Sequence, residues 1–525
     1  MKSRLSYFLI SIVIILLFFI GKSIWTNEKL KVTNNLTEKS FTAPISSKYI
    51  PKNADLIFHW KINPNIIPSY IDNYQDTSNK KIINKKIKLI RDSVFKLISI
   101  DYTKDISEWS GDKGSFAIFD INKKLLNDWL LVLEINKDIN IQEKLESILG
   151  PNITNDNMNL GDNSNISQSK LFSKKINQDQ TIYFSNYKEN ILISSNQKTI
   201  KSSIDQIDDN KLGIQEKYKN IKLKDNLNDG ILLLEMSPKK IFNLIGQKED
   251  LLEIDKTDKL ISSINIDNNK LILEGILSYD VKRKRPINDR SYDLIDMEKE
   301  FNLFDNLILI NNPKQYFIKN SIHPYQKLIA SVIQKSTTED YSNLFKNILK
   351  NTQGNLILLK DKEWLAITSK SDKGAKEISD IIKKDKFLNT NLDFKNKNLE
   401  VWSKITATND EKYEIKENIE AFIEEKQDVY IWSQDLYSIT NFDNKKYLEN
   451  NIDSYHIKNE NNDFDDVLKI HLGKKNTELF LNDFYPYILL RTMLGNKLDF
   501  PQNLDISMAI PAINYPDFVK FKINL

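Results

Sequence analysis

Apolar residues fall along this chain in three patterns. The first is one unbroken run: from Leu5 to Gly21 no side chain is charged, with Lys2 and Arg4 before it and Lys22 after it. These 17 residues would reach about 25 Å as a helix, slightly short of a hydrocarbon slab of about 30 Å. Tyr7 and Trp25 suit the two interfaces, and Lys22 can extend its ammonium outward, so the segment predicts a transmembrane helix over residues 5–25.

The second pattern is the short, β-rich or alternating run. It predicts strands near 55–62, 114–121, 129–136, 169–175, 181–186, 191–195, 230–236, 259–267 and 270–279. Ile264-Asn-Ile266 and Leu271-Ile-Leu273 flank Asn268-Asn269, a two-residue hairpin signal. Leu504, Ile506 and Met508, then Val519, Phe521 and Ile523, form another period-two pair, placed at the C-terminal end of the sheet. The third pattern has helical spacing. It predicts helices near 80–99, 141–149, 197–207 and 238–246, and an amphipathic helix from Glu411 to Lys426 with Tyr413, Ile415, Ile419, Phe422 and Ile423 on its stripe. Phe484 to Leu494 is too short to span a bilayer, carries Pro486 and Arg491, and reads as a core helix.

The strand landmarks recur. GSFAIFD at Gly114 resembles GNLILLKD at Gly354, and DWLLVLEI around Trp129 resembles EWLAITSK around Trp364. LFSKK at Phe172 matches VWSKI at Trp402, ILISSN from Ile191 matches YSITNF from Tyr437, and ILLLEM from Ile231 matches VLKIHL from Val467. The order is kept throughout, which predicts two copies of one unit. A smaller motif, an apolar strand followed by a capping residue and Pro, appears at Asn63-Pro64, Ser237-Pro238 and Asn312-Pro313. Asn or Ser caps a helix, and Pro at its first position gives up no hydrogen bond. The fourth expected place has Gly473-Lys474 instead.

Hairpins with a helix every two or three strands predict an α+β fold: two internally duplicated domains, each a mainly antiparallel sheet with helices on one face, after the N-terminal transmembrane helix. The chain then divides into a cytoplasmic N-terminus (1–4), the anchor (5–25), a tether (26–47), a first α+β repeat (48–280), a linker (281–300) and a second α+β repeat (301–525). A cleaved signal peptide is the alternative to the anchor, but its nearest cleavage site, Gly21-Lys22-Ser23, has a Lys inside it. Positive charge at the extreme N-terminus favours a single-pass signal-anchor with an extracytoplasmic body, although Lys22, Lys29 and Lys31 weigh against it.

Composition narrows the chemistry. Lys and Arg number 75 against 72 Asp and Glu, so no strong field points to nucleic acid. KRKRP, from Lys282 to Pro286, reads as solvated linker rather than a headgroup site. Cys is absent, which removes disulfides, thiolate nucleophiles and Cys-ligated metals. Neither G-x-G-x-x-G nor a P-loop occurs, and Gly111 to Gly114 reads as a turn into a strand.

The four His are His59, His323, His456 and His471, none in a metal-binding spacing. His59 and His471 sit in strands at loosely corresponding places. The adjacent carboxylates Glu424-Glu425 and Asp465-Asp466 read as solvated surface, and Ser194-Ser195 lacks a nucleophile-elbow context. Trp129 and Trp364 read as core. No residue qualifies as catalytic, cofactor-binding or metal-ligating, and no cofactor is implied.

KYIPKNADLIFHWKINP from Lys48, EWSGDKGSFAIFD from Glu108 and YKENILISSNQKTIKSSI from Tyr187 resemble an uncharacterised, largely cyanobacterial membrane-anchored family known only as a domain of unknown function (DUF 3352-like). The resemblance covers most of the chain from Lys48 and implies an anchored body in the periplasm or thylakoid lumen. It brings no active-site residues. Three functions compete: a non-enzymatic binding or assembly module with a protein or lipid partner, a carrier of a lipid or other hydrophobic ligand, and an enzyme with its site between the repeats. The first is favoured because no site is legible.

Overall fold

The computed structural model describes residues 42–61, 101–121, 128–136, 141–149, 154–157, 170–177, 180–208, 213–220, 232–237, 259–267, 270–278, 306–317, 326–337, 343–360, 364–370, 387–408, 414–426, 429–442, 464–482, 500–511 and 518–524, with isolated positions between them. Residues 5–25, most of the tether, the linker 281–300, His323, His456 and the run Phe484 to Leu494 lie outside the described residues. Among the described residues no helix is long and apolar enough to cross a membrane.

Among the described residues twenty strands form one antiparallel sheet. The first ten are β1 (Leu56–Trp60), β2 (Ser110–Phe119), β3 (Asp128–Ile135), β4 (Thr154–Asn157), β5 (Lys170–Asn177), β6 (Gln180–Tyr187), β7 (Asn190–Ser194), β8 (Leu232–Met236), β9 (Lys259–Asp267) and β10 (Lys270–Ser278). The second ten are β11 (Asn306–Asn311), β12 (Asn355–Lys360), β13 (Trp364–Ser369), β14 (Leu388–Phe394), β15 (Lys397–Thr408), β16 (Glu414–Glu425), β17 (Val429–Ser433), β18 (Phe464–Gly473), β19 (Asn503–Pro511) and β20 (Phe518–Asn524).

The pairings run β4-β5-β6-β7-β3-β2-β1-β8-β9-β10 through the first set. They run β14-β15-β16-β17-β13-β12-β11-β18-β19-β20 through the second. The connectivity is the same in both sets. β10 pairs with β20, so the two runs join into one sheet with β4 and β14 at its ends. The fold is therefore α+β, but as one continuous sheet rather than one sheet per half. The period-two pair at the C-terminus forms its middle instead of an end.

Registers align the halves. Leu130, which follows Trp129, pairs with Ser194 at the end of β7; Leu365, which follows Trp364, pairs with Ser433 at the end of β17. Carried across the sheet, this match sets Ile57 with Leu307 and Glu235 with His471. It sets Ile261 with Asp505 and Glu274 with Lys522. Glu274 and Lys522 are also direct partners across the joint, so a pseudo-two-fold axis passes through that pair. The sequence match of Ile191 with Tyr437 is displaced: the counterpart of β7 is Val429–Ser433, and Tyr437 lies in the helix after it.

One sheet face buries Leu56, Phe58, Leu131, Ile308, Leu358, Ile470 and Ile506. It is covered by α1 (Ile141–Leu149), α5 (Gln326–Thr337), α6 (Asn343–Asn351) and α8 (Lys474–Asn482), with a short α4 (Lys314–Phe317). The second face carries two apolar patches. One lies under α2 (Gln197–Asp208) and α3 (Ile214–Asn220), the other beside α7 (Leu436–Asn441). Helices thus lie on both faces, not one. Where both faces are covered a strand can be apolar throughout, as in Leu307-Ile-Leu-Ile310. Where the second face is open the strand alternates, as in Val519-Lys-Phe-Lys-Ile523.

Other expectations change with the pairing. The predicted helix from Glu411 to Lys426 is instead β16, which pairs with β15. A spacing of four residues is even, so Ile415 and Ile419 also share a strand face, and β-branched side chains suit a pleated surface. A bulge opposite Trp402/Ser403 then turns them away from the first-face core that receives Ala421 and Ile423. Gly111 and Gly114 lie inside β2 at a bulge rather than in a turn. Helix α8 follows β18 directly at Gly473-Lys474, without a Pro. The end of the predicted tether is packed: Ile45–Tyr49 form a 3-10 turn that buries Ser46, Ser47 and Tyr49.

Candidate functional site

The second face carries the chemistry, because alternation along the central strands aims their polar residues there. Registers place Lys469, Ser507, Lys522, Glu274, Ser263, Leu233, His59 and Ser115 in one row across eight neighbouring strands. The row crosses the joint between the halves. It contains one cluster that is sealed and one that is partly open.

The sealed cluster lies under α3. His59 Nδ1 is 2.5 Å from Ser115 Oγ, which also bonds Ser46 Oγ. His59 Nε2 is 3.2 Å from the Tyr218 hydroxyl. His59, Ser115 and Glu235 are fully buried. Burial, helped by the Lys61 charge, pushes the His59 pKa down to about 3, so its imidazole is neutral at ordinary pH. Burial and the Glu235 carboxylate beside it raise the Tyr218 hydroxyl well above its usual range.

Glu235 is paired with Lys217. Asp55 accepts from Lys240 Nζ at 2.6 Å and from the Ile121 amide at 2.9 Å. Lys259 donates to the Ala54 carbonyl at 3.2 Å, and burial lowers its pKa. A Ser–His pair is the arrangement of a nucleophile with its base. Here, however, both imidazole nitrogens are engaged inside the fold and Ser115 has no exposed surface. As it stands, the cluster can satisfy buried polar groups but cannot meet a substrate.

The partly open cluster is spread from β18 to β10, across the joint. His471 Nδ1 and Asp505 Oδ1 are 2.6 Å apart on β18 and β19. Glu274 on β10 is buried; its carboxylate accepts from the Asn228 side chain at 3.1 Å and from the Asn228 amide at 3.3 Å, and lies 3.6 Å from Lys522 Nζ. Burial lowers the pKa of Lys520 despite the opposing pull of Glu274. The arrangement can orient an imidazole and hold a small polar or anionic group. Among the described residues no group of three or more His, Asp or Glu is placed to hold a metal ion.

Sequence reasoning named both His but not their partners. The correspondence it drew between them also shifts: His471 matches Glu235, and the counterpart of His59 is Leu309. Tyr218, Glu274, Lys520, Lys522 and Asp505 were missed. The available signal was charge at period two inside otherwise apolar strands, as in Lys520-Phe-Lys522. Trp129 and Trp364 are core residues as expected, and Ser194 donates to the Trp129 carbonyl. Glu424 is not solvated surface: it is buried between Lys397 at 3.2 Å and Lys426 at 3.6 Å, while Glu425 faces outward.

A family model described as a protein of unknown function (DUF3352) matches residues 8–484. Neither a curated protein nor a solved structure matches the chain.

Proposed function

The chain belongs to the DUF3352 family of proteins of unknown function, and from that premise we propose that it is a membrane-anchored binding or assembly protein. Residues 5–25 are its single transmembrane span, and its body, two copies of one unit, lies on the extracytoplasmic side. The observation that carries the non-enzymatic part of this reading is the closure of the cluster under α3: its Ser115–His59 pair is buried, and both imidazole nitrogens are engaged. The anchor rests on the uncharged run from Leu5 to Gly21 and the charge that precedes it. One observation favours an enzyme instead, the His471–Asp505 pair beside Lys469 on β18 and β19.

The test is tagged full-length protein in sealed membrane vesicles. Protease added to the cytoplasmic side should leave the body intact, and mild detergent extraction should bring down a stoichiometric protein or lipid partner. Digestion from the cytoplasmic side would overturn the orientation. Turnover of a substrate that His471→Ala abolishes would replace binding with catalysis.

A further inference from the structure

The two ends of the sheet differ in what they offer. β4 is a four-residue strand, Thr154–Asn157, with no apolar side chain. β14, its counterpart, has seven residues and is exposed along almost its whole length. Among the described residues it pairs only with β15, and no described strand lies along its outer edge. Natural edge strands are usually blunted by lysines, Pro, a bulge or a cover. β14 has one charge, Asp393, and neither Lys nor Pro. Its geometry is fixed from the inner side: Lys395 and Asn396, both at positive φ, make the tight turn into β15.

We infer that β14 pairs antiparallel with β14 of a second copy of this chain, about a two-fold axis through Asn391. The strand is complementary to itself in that register. Leu388 faces Phe394 of the second copy, and Thr390 faces Leu392. These four side chains lie on the second face, where Leu392 already packs on the apolar patch and Leu388 and Phe394 are exposed. On the other face Asn389 meets Asp393 and Asn391 meets Asn391. No like charges oppose each other, and apolar residues meet apolar residues or a threonine methyl. Leu388 sits beside Ser403 on β15, next to the exposed Ile405 and Ile419, so pairing extends an apolar surface already present. The same isologous logic joins β10 to β20 inside the chain. Because β4 is short and polar, each copy has one competent edge, and the assembly closes as a pair instead of growing into a fibre.

This identifies a partner for the assembly reading and rests on it, but its failure would leave the anchored topology untouched. The chain has no cysteine, so a single introduced thiol reports cleanly. In full-length protein in detergent, Asn391→Cys should be joined into a covalent dimer by a short thiol cross-linker. Asn389→Cys should not, because its two copies stand four residues apart, about 13 Å along the strand. Asn391→Lys and Asn391→Glu should each yield monomers by light scattering, and mixing them should restore the pair. Asn391 is exposed, so these changes leave folding intact. A monomeric wild-type chain, equal cross-linking at positions 389 and 391, or a mixture that stays monomeric would overturn the proposal.

Discussion

The first and second halves share connectivity strand for strand, yet at the place of His59 they close the second face of the sheet by different means. The first half buries polarity there: His59, Ser115 and Glu235 are packed under Tyr218 and Lys217 of α3, beside the apolar patch of Ile57, Ile200 and Ile204. At the corresponding place on the central strands the second half has Leu309 for His59. It fills its patch with Leu307, Leu309, Ile357, Leu365 and Ile431. The edges differ in the opposite sense. The first half ends in a short polar strand after compact hairpin strands of eight residues, whereas β15 and β16 have twelve and expose Ile405, Ile415 and Ile419. Connectivity fixes which strands meet. It does not fix whether a face is closed by hydrogen bonds or by apolar contact, because both satisfy the same backbone ladder.

The largest effect that separates the halves should be their response to acid. Burial holds the His59 imidazole near a pKa of 3, against 6.5 for the exposed group. Between those values the unfolded chain takes up a proton that the folded chain refuses. The stabilisation is complete above pH 6.5, falls as the pH drops, and is gone near pH 3, a span of about 4–5 kcal/mol. Hydrogen exchange in β3 should therefore accelerate between pH 6.5 and pH 4 beyond its intrinsic pH dependence, while β13 should not. His59→Leu, which installs the residue the second half uses, should flatten that dependence at a cost of about 1–3 kcal/mol at neutral pH from the two hydrogen bonds lost. Equal acid sensitivity of β3 and β13 would remove His59 as the source of the difference.

A smaller effect is expected at the joint. On the pseudo-two-fold axis identical halves would set like against like, but the chain sets Glu274 against Lys522. Neighbouring Gly275 leaves room for the Phe521 ring: a Cβ there would lie 2.2 Å from Phe521 Cζ. These two differences make each half a partner for the other and a poor partner for itself. Lys522→Glu should cost about 2 kcal/mol by opposing two carboxylates. The exchange Glu274→Lys with Lys522→Glu should recover most of it. Denaturant unfolding of the single and double variants measures both, and an undiminished loss in the double variant would show that the pair does not set the joint.

How much of this was legible follows from the same physics. Strands with both faces covered, such as Leu130 to Leu133 and Leu307 to Ile310, announce themselves as unbroken apolar runs. The hairpin between β9 and β10 appears as predicted, with Asp267 paired to Lys270 around Asn268-Asn269. β16 was misread because a bulge breaks its alternation at Glu420 and leaves four-residue spacings that imitate a helix. β4 and β14 were missed because edge strands need no buried residues and carry little pattern. The polar clusters were harder still. His59, Ser115 and Tyr218 are 56 and 159 residues apart in pairs, and only the register of β1 with β2 and the packing of α3 bring them together.

The smallest difference lies where β7 and β17 turn into helices. Both turns use Ser-x-Asn/Asp: the Asn196 amide donates to Ser194 Oγ at 3.0 Å, and the Asp435 amide to Ser433 Oγ at 3.0 Å. Asn196 Oδ1 then accepts from the Lys198 amide at 3.0 Å, and Asp435 Oδ2 from the Ser438 amide at 2.6 Å. Replacing either cap by Ala should cost about 1 kcal/mol. The consequences should nevertheless differ, because α2 has twelve residues and buries Ile200 and Ile204, whereas α7 has six. A helix of one or two turns has little beyond its first turn to hold it when the cap is lost. Asp435→Ala should therefore raise hydrogen exchange throughout α7, and Asn196→Ala should raise it in the first turn of α2 alone. If exchange in α7 stays as slow as in the parent chain, the packing of Ile439 in the second-face patch, rather than the cap, holds that helix.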